Sequence, residues 1–207
     1  MIKLILLSNF HQLAMNQSFL TLENIITTRR TTKPAQMNGR KIPDEQVREL
    51  LKLANWAPTH GRTEPWRFMV FSETRVQRFC EDHARLYKTS TPEESFVQGT
   101  YNNLKTMGDK ASHVIIAIMQ RGSLPKIPVW EEQASVAAAV ENILLGATAM
   151  GIASYWGTGG MIQHQAMKDF LKLRPEDFVM GAIYLGYSDT ENPAIRASSI
   201  EDKTVWA

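Results

Sequence analysis

The chain has 207 residues, 43% of them apolar and 21% charged, with 23 Lys and Arg against 21 Asp and Glu. That is enough chain to bury a sizeable core, and a formal charge of +2 leaves no global field to recruit nucleic acid or a membrane surface. The single cysteine, Cys80, excludes an intrachain disulfide and a cysteine-rich metal site, and it suits a reducing cytoplasm.

The opening "MIKLILLSNFHQLAMNQ" has an apolar run, Leu4 to Leu7, too short for the core of a signal peptide and followed by no small-residue cleavage site. It is expected to be an N-terminal extension, residues 1–18, ahead of one domain over 19–207, with Met15 an alternative start. The stretch "FLTLENIITTRR" predicts a helix with Leu20, Leu22, Ile25 and Ile26 on a rough apolar face. The pattern is clearer in "IPDEQVRELLKLANWA". Pro43, Asp44 and Glu45 mark the start, and Val47, Leu50, Leu51 and Ala54 recur at helical spacing.

"WRFMVF" then reads as a buried strand and "ETRVQRFCEDHARLYK" as a helix through Val76, Phe79, Cys80, His83 and Leu86. Residues 92–111 are weakly helical, and "HVIIAIM" is apolar enough for a central strand. A long helix follows in "PVWEEQASVAAAVENILLGATAMG", with Pro128 near its start and Gly151 placed for its C-terminal cap. The strand "IASYWG", a short helix "HQAMKDFLKL", the strand "VMGAIYLGY" and a patternless tail complete the chain. Helices alternating with apolar strands predict an α/β or α+β layered fold, a sheet covered on both faces.

Three places can carry chemistry. In "TTRRTTK", Arg29, Arg30, Thr31 and Lys33 end the first helix in a stretch without acids, which suits a phosphate but equally suits cations offsetting a helix dipole. The loop "WAPTHGRTEPWRF" crowds His60, Arg62 and Glu64 between two prolines and two tryptophans. Its histidine has no partners at ligand spacing, so no metal site is expected, and no "GxSxG" points to hydrolysis. The third is "YWGTGG", where a strand runs into three glycines that let backbone approach a ligand, or simply turn.

The order and separation of these segments resemble the nitroreductase family, from about residue 20 onward. "RRTTK" stands where that family has an Arg-Arg-Ser-x-Arg-like motif, and "APTHGRTEPWRF" where it has an Ala-Pro loop running into Gln-Pro-Trp-Arg-Phe. "MGIASYWGTGGM", "AIYLGY" and "PAIRASSIEDKTVW" match its later segments, and the closest likeness is to its small, minimal members. The resemblance implies a mixed central sheet flanked by helices, a long buried central helix and a C-terminal arm exchanged with a partner.

It also implies an FMN-dependent oxidoreductase, cytoplasmic and homodimeric, with FMN at the interface and NADH or NADPH as hydride donor. Arg29, Arg30, Thr31 and Lys33 would hold the phosphate and reach the flavin, and His60 would sit at the flavin edge. Trp156, Gly157, Thr158 and Gly159 would line the ring, and Arg196 would add a phosphate contact. No catalytic acid is implied, because the flavin carries the chemistry. The acceptor would be a nitroaromatic, a quinone or a similar molecule; relatives on the scaffold also perform dehalogenation, dehydrogenation or flavin cleavage. Arg62 and Glu64 depart from the Asn and Gln that many members have, and Trp56 is an extra aromatic beside the loop. A competing reading from another class makes the basic 29–41 stretch a nucleic-acid patch. It is disfavoured because no aromatics interleave with its charges.

Overall fold

A computed structural model describes residues 16–207. The expected extension therefore lies almost wholly outside the described residues. Helix α1 (Gln17–Thr28) is capped by the Asn16 side chain, which accepts the Ser18 N–H at 2.9 Å. Its apolar residues Phe19, Leu20, Leu22 and Ile26 are exposed and Ile25 is half-buried, so most of the expected apolar face has no cover among the described residues. The segment through Arg29 clusters with Ala194–Ala207 as one compact unit, and Arg30–Pro193 form the other. In the first unit the tail holds one 3-10 turn, Glu201–Lys203, and leaves Val205 and Trp206 92% and 95% exposed.

The second unit is a sheet between two helical layers. Its strands are β1 (Trp66–Ser72), β2 (His113–Met119), β3 (Ala153–Gly157) and β4 (Phe178–Gly186), in the order β1-β2-β4-β3. Every ladder is antiparallel, where a mixed sheet was expected. The parallel pairing is a single bridge, Thr31 with Ser154. Strand β2 is buried at all seven positions because it is central and covered on both faces. Alternation divides it between two cores. Ile115, Ala117 and Met119 face α2 (Asp44–Ala54) and the long α5 (Val129–Ala149), through Leu50, Val140 and Ile143. Val114, Ile116 and Ile118 face α3 (Thr74–Ser90) and α6 (Gln165–Phe170), through Phe79, Cys80 and Met167. Helix α4 (Gln98–Thr106) packs on α3.

One expectation of burial is corrected, and a second is met on one face. Strand β1 buries Trp66 but leaves Met69 and Val70 exposed, because it is an edge strand. Helix α5 is buried along one face, while Ala137, Ala138, Glu141 and Leu145 on the other are only half-buried. Its end is as expected: Met150 caps it, Gly151 takes φ +67° and the Ile152 N–H returns to the Ala147 carbonyl. The β2–β4 register shifts between Ala117 and Ile118, next to Gly181 at φ +150°.

Candidate functional site

The basic motif is tied to the sheet edge by its backbone. The Thr32 N–H donates to the Ser154 carbonyl at 2.9 Å, alongside the Thr31–Ser154 bridge. Asn192 donates to the Thr31 carbonyl and the Thr32 hydroxyl, and it accepts from Gln36. A buried Pro34 opens a 3-10 turn directly after Lys33. These contacts leave Lys33 exposed at the mouth of a cavity of about 400 Å³, where it lies with Lys110, Asp109, Asn103, Met107 and Tyr155. A second cavity of about 150 Å³ shares Asn103, Met107 and Tyr155 and continues to Gly157, Gly159, Gly160 and His83. Together they form a recess with cations at one end, an aromatic and aliphatic wall, and a glycine turn at the other end. That is the chemistry of a site for a flat ligand with an anionic end.

The glycines earn their place sterically. A Cβ on Gly157 would come 2.5 Å from the Tyr155 ring, and one on Gly160 would come 2.7 Å from both His83 and Leu104. Gly160 also has φ +66°. Around Gly159 an added Cβ would meet open space, so that position is free to face a ligand.

Not every expected residue gathers here. Trp156 turns to the α5 side of the sheet, where its indole donates to the Met180 carbonyl at 3.2 Å; Tyr155 is the aromatic that lines the recess. Arg29 and Arg196 belong to the unit formed by α1 and the tail, whereas Arg30, Thr31 and Lys33 begin the other. His60 pairs with Glu131 on α5, Nδ1 to Oε2 at 2.6 Å, and precedes the start of β1, where Trp66 pairs with Met119. Lys33 follows the bridge to Ser154, which pairs with Leu185 and through it neighbours His113. The two therefore occupy opposite corners of the sheet, about 20 Å along β2 and about 14 Å across three strand spacings. The fold of the single chain does not bring His60 to the recess.

The loop of His60 is held rigidly all the same. Thr59 Oγ1 accepts the Glu64 N–H and lies 3.0 Å from Thr63 Oγ1, while Gly61, Arg62 and Glu64 all have positive φ. Such strain in non-glycine residues is characteristic of functional loops. Trp66 anchors the loop through its indole bond to Asn55, but Trp56 is 85% exposed over a groove with Leu51, Lys52 and Phe68. Asn103 and His83 do not read as site residues in the sequence, and Tyr155 reads only as the start of the glycine motif. Only the helical phase of His83 with Phe79 and Cys80 marked it, and that reads as core.

One further constellation is structural. Ser112 Oγ accepts the Ile42 N–H and lies 3.0 Å from His113 Nδ1, whose Nε2 lies 2.9 Å from Asp44. Both Ser112 and His113 are buried, so this chain pins α2 to β2 and offers no accessible nucleophile. Among the described residues no group of three His, Cys, Asp or Glu could hold a metal, and no helix is long and apolar enough to cross a membrane.

Comparison with known proteins agrees with this fold. A family model described as the nitroreductase family matches residues 26–187. A provisionally named NADH dehydrogenase/NAD(P)H nitroreductase of Archaeoglobus fulgidus is 30% identical over 170 residues, 81% of this chain and 85% of that protein. Among solved structures, a nitroreductase-like family protein from Bacillus cereus superposes with a TM-score of 0.74 at 21% identity, covering 90% of this chain and 95% of that one. The FMN-dependent nitroreductase NfnB from Mycobacterium smegmatis, solved in complex with NADPH, superposes with a TM-score of 0.72 at 18% identity, covering 92% and 100%. With a family model matching residues 26–187, most of its length, this chain belongs to the nitroreductase family.

Proposed function

We propose that this protein is an FMN-dependent oxidoreductase that passes reducing equivalents from NADH or NADPH to a small acceptor such as a nitroaromatic or a quinone. The observation that carries the reading is the recess itself, with its cationic mouth at Lys33 and Lys110, flat wall at Tyr155 and glycine turn at 157–160. FMN has the matching chemistry: an anionic phosphate, an amphipathic flat ring and a polar pyrimidine edge. When bound it would supply hydride transfer.

The chain's own residues bind and orient. Lys33 would present positive charge to the ligand's anionic end, and the backbone of 157–159 can offer N–H donors to the ring's polar edge. Asn103 can both donate and accept at such an edge. Leu104, Met107 and Ile162 keep the inner end apolar, which excludes water and strengthens those interactions. No side chain in the recess is needed as a general acid.

The same reading includes a homodimer with FMN at the interface. The opposite corners held by Lys33 and His60 support it, since a two-fold axis could set the His60 loop of one copy against the recess of another. So do the uncovered apolar side chains of α1, of the tail and of the Trp56 groove, which a second copy could bury. In that arrangement Arg29 and Arg196 are assigned to the phosphate, and the tail serves as the exchanged arm.

An absorbance titration tests the central claim. The apo-protein should take up FMN in preference to FAD, and anaerobic NADH or NADPH should then bleach the flavin band. A protein that binds no FMN, or whose bound flavin neither nucleotide bleaches, would refute the proposal.

A further inference from the structure

His83 sits on α3 one turn after Phe79, tilted against that ring with centroids 5.9 Å apart, and is only 2% exposed. The Met161 N–H donates to its Nε2 at 2.8 Å. That bond requires an unprotonated Nε2, so the ring's proton resides on Nδ1. Nδ1 is buried and has no hydrogen-bond partner among the described residues.

A buried donor left unpaired destabilises a fold. Phenylalanine would fill the same space between Phe79 and Leu104 without that penalty, so packing does not account for a histidine. What phenylalanine lacks is the Nε2 lone pair. The backbone it holds is the end of the glycine turn, laid so closely on the ring that Gly160 has no room for a Cβ. Ring and turn line the same cavity. Burial pushes His83 down to about 4, so the lone pair is retained at neutral pH.

We infer that His83 is a positioning residue, whose Nε2 fixes the Met161 amide and with it the backbone of 159–161 at the wall of the cofactor recess. It acts through the turn and not on the reacting atoms. The inference rests on reading the recess as the FMN site.

The test uses His83→Phe, which keeps a ring and loses the acceptor, and His83→Gln, whose Oε1 can replace Nε2. Hydrogen exchange of the Met161 amide is measured in the apo-proteins, and FMN affinity by fluorescence titration. His83→Phe should exchange that amide at least about ten-fold faster and bind FMN about ten-fold more weakly, the scale of one lost hydrogen bond. His83→Gln should restore both to within about three-fold. Should His83→Phe not fold by circular dichroism, His83→Asn replaces it, being polar but too short to reach the amide.

Unchanged exchange would overturn the inference whatever binds in the recess. Faster exchange with unchanged FMN affinity would detach His83 from the cofactor and overturn it equally, leaving the flavin reading intact. Failure of the wild type to bind FMN would overturn both.

Discussion

Acid should unfold this protein in part through one buried imidazole. In the unfolded chain His83 takes a proton at its ordinary value of 6.5, whereas burial holds it neutral in the fold down to about 4. Between those values the unfolded state carries more protons, so stability rises with pH across the window and is complete above about 6.5. At about 1.36 kcal/mol per unit, the whole gap is worth about 3 kcal/mol, and about 2 kcal/mol of it is already lost at pH 5. Urea denaturation of the wild type and of His83→Phe at pH 7.5 and pH 5 isolates the effect, because carboxylates common to both proteins cancel in the double difference. The wild type should lose about 2 kcal/mol more than the variant between the two pH values. Parallel losses would refute the reasoning, since they would mean that the native ring accepts a proton as readily as the unfolded one.

Lys33→Met and Arg29→Ala should each weaken FMN binding by about 1.5–3 kcal/mol, the range for hydrogen bonds to charged groups, in a titration of the apo-protein. Unchanged affinity would make Lys33 a bystander at the cavity mouth, or Arg29 a helix-end cation. Gly181→Ala should cost about 2 kcal/mol or more in urea, because φ is +150° there and the new Cβ would strike the Trp156 indole and come within 3.0 Å of the Gly157 carbonyl. Light scattering on the FMN-loaded protein should give twice the chain mass of 23.4 kDa, and a monomer with full flavin occupancy would sink the shared-site model.

The helices were legible because their cause is local. Val47, Leu50 and Ala54 repeat at the helical period and are buried at that period; Val76, Phe79, Cys80 and His83 behave likewise. Strand β2 was legible for the same reason, seven apolar or buried positions in a row requiring cover on two faces. The sheet's direction was not legible, since pairing is set between segments dozens of residues apart. The site divided along the same line. Arg29 to Lys33 and the glycine turn stand out as runs, but Asn103 comes from a weakly patterned helix, and His83 repeats with core residues. Only the folding of α3 and α4 against β3 and β4 brings those two to the turn.

The exposed apolar side chains have one property in common. Leu22 and Ile26 in α1, Met69 and Val70 in β1, and Val205 and Trp206 in the tail are apolar where a single chain leaves them exposed. Exposed apolar side chains that gather into patches mark surfaces for a partner, and the patterning of one chain is silent on which partner covers them. Ala137, Ala138 and Leu145, half-buried on the outer face of α5, carry the same mark on the longest helix. His60 adds a polar counterpart, for its loop has Arg62 and Glu64 strained into positive φ at the corner farthest from the recess. Strain of that kind persists where surrounding contacts over-determine the conformation, and it gathers at sites of function. An element order that fits one chain, beside apolar faces and a rigid polar loop that do not serve it, is what a site shared between two copies would write into a sequence.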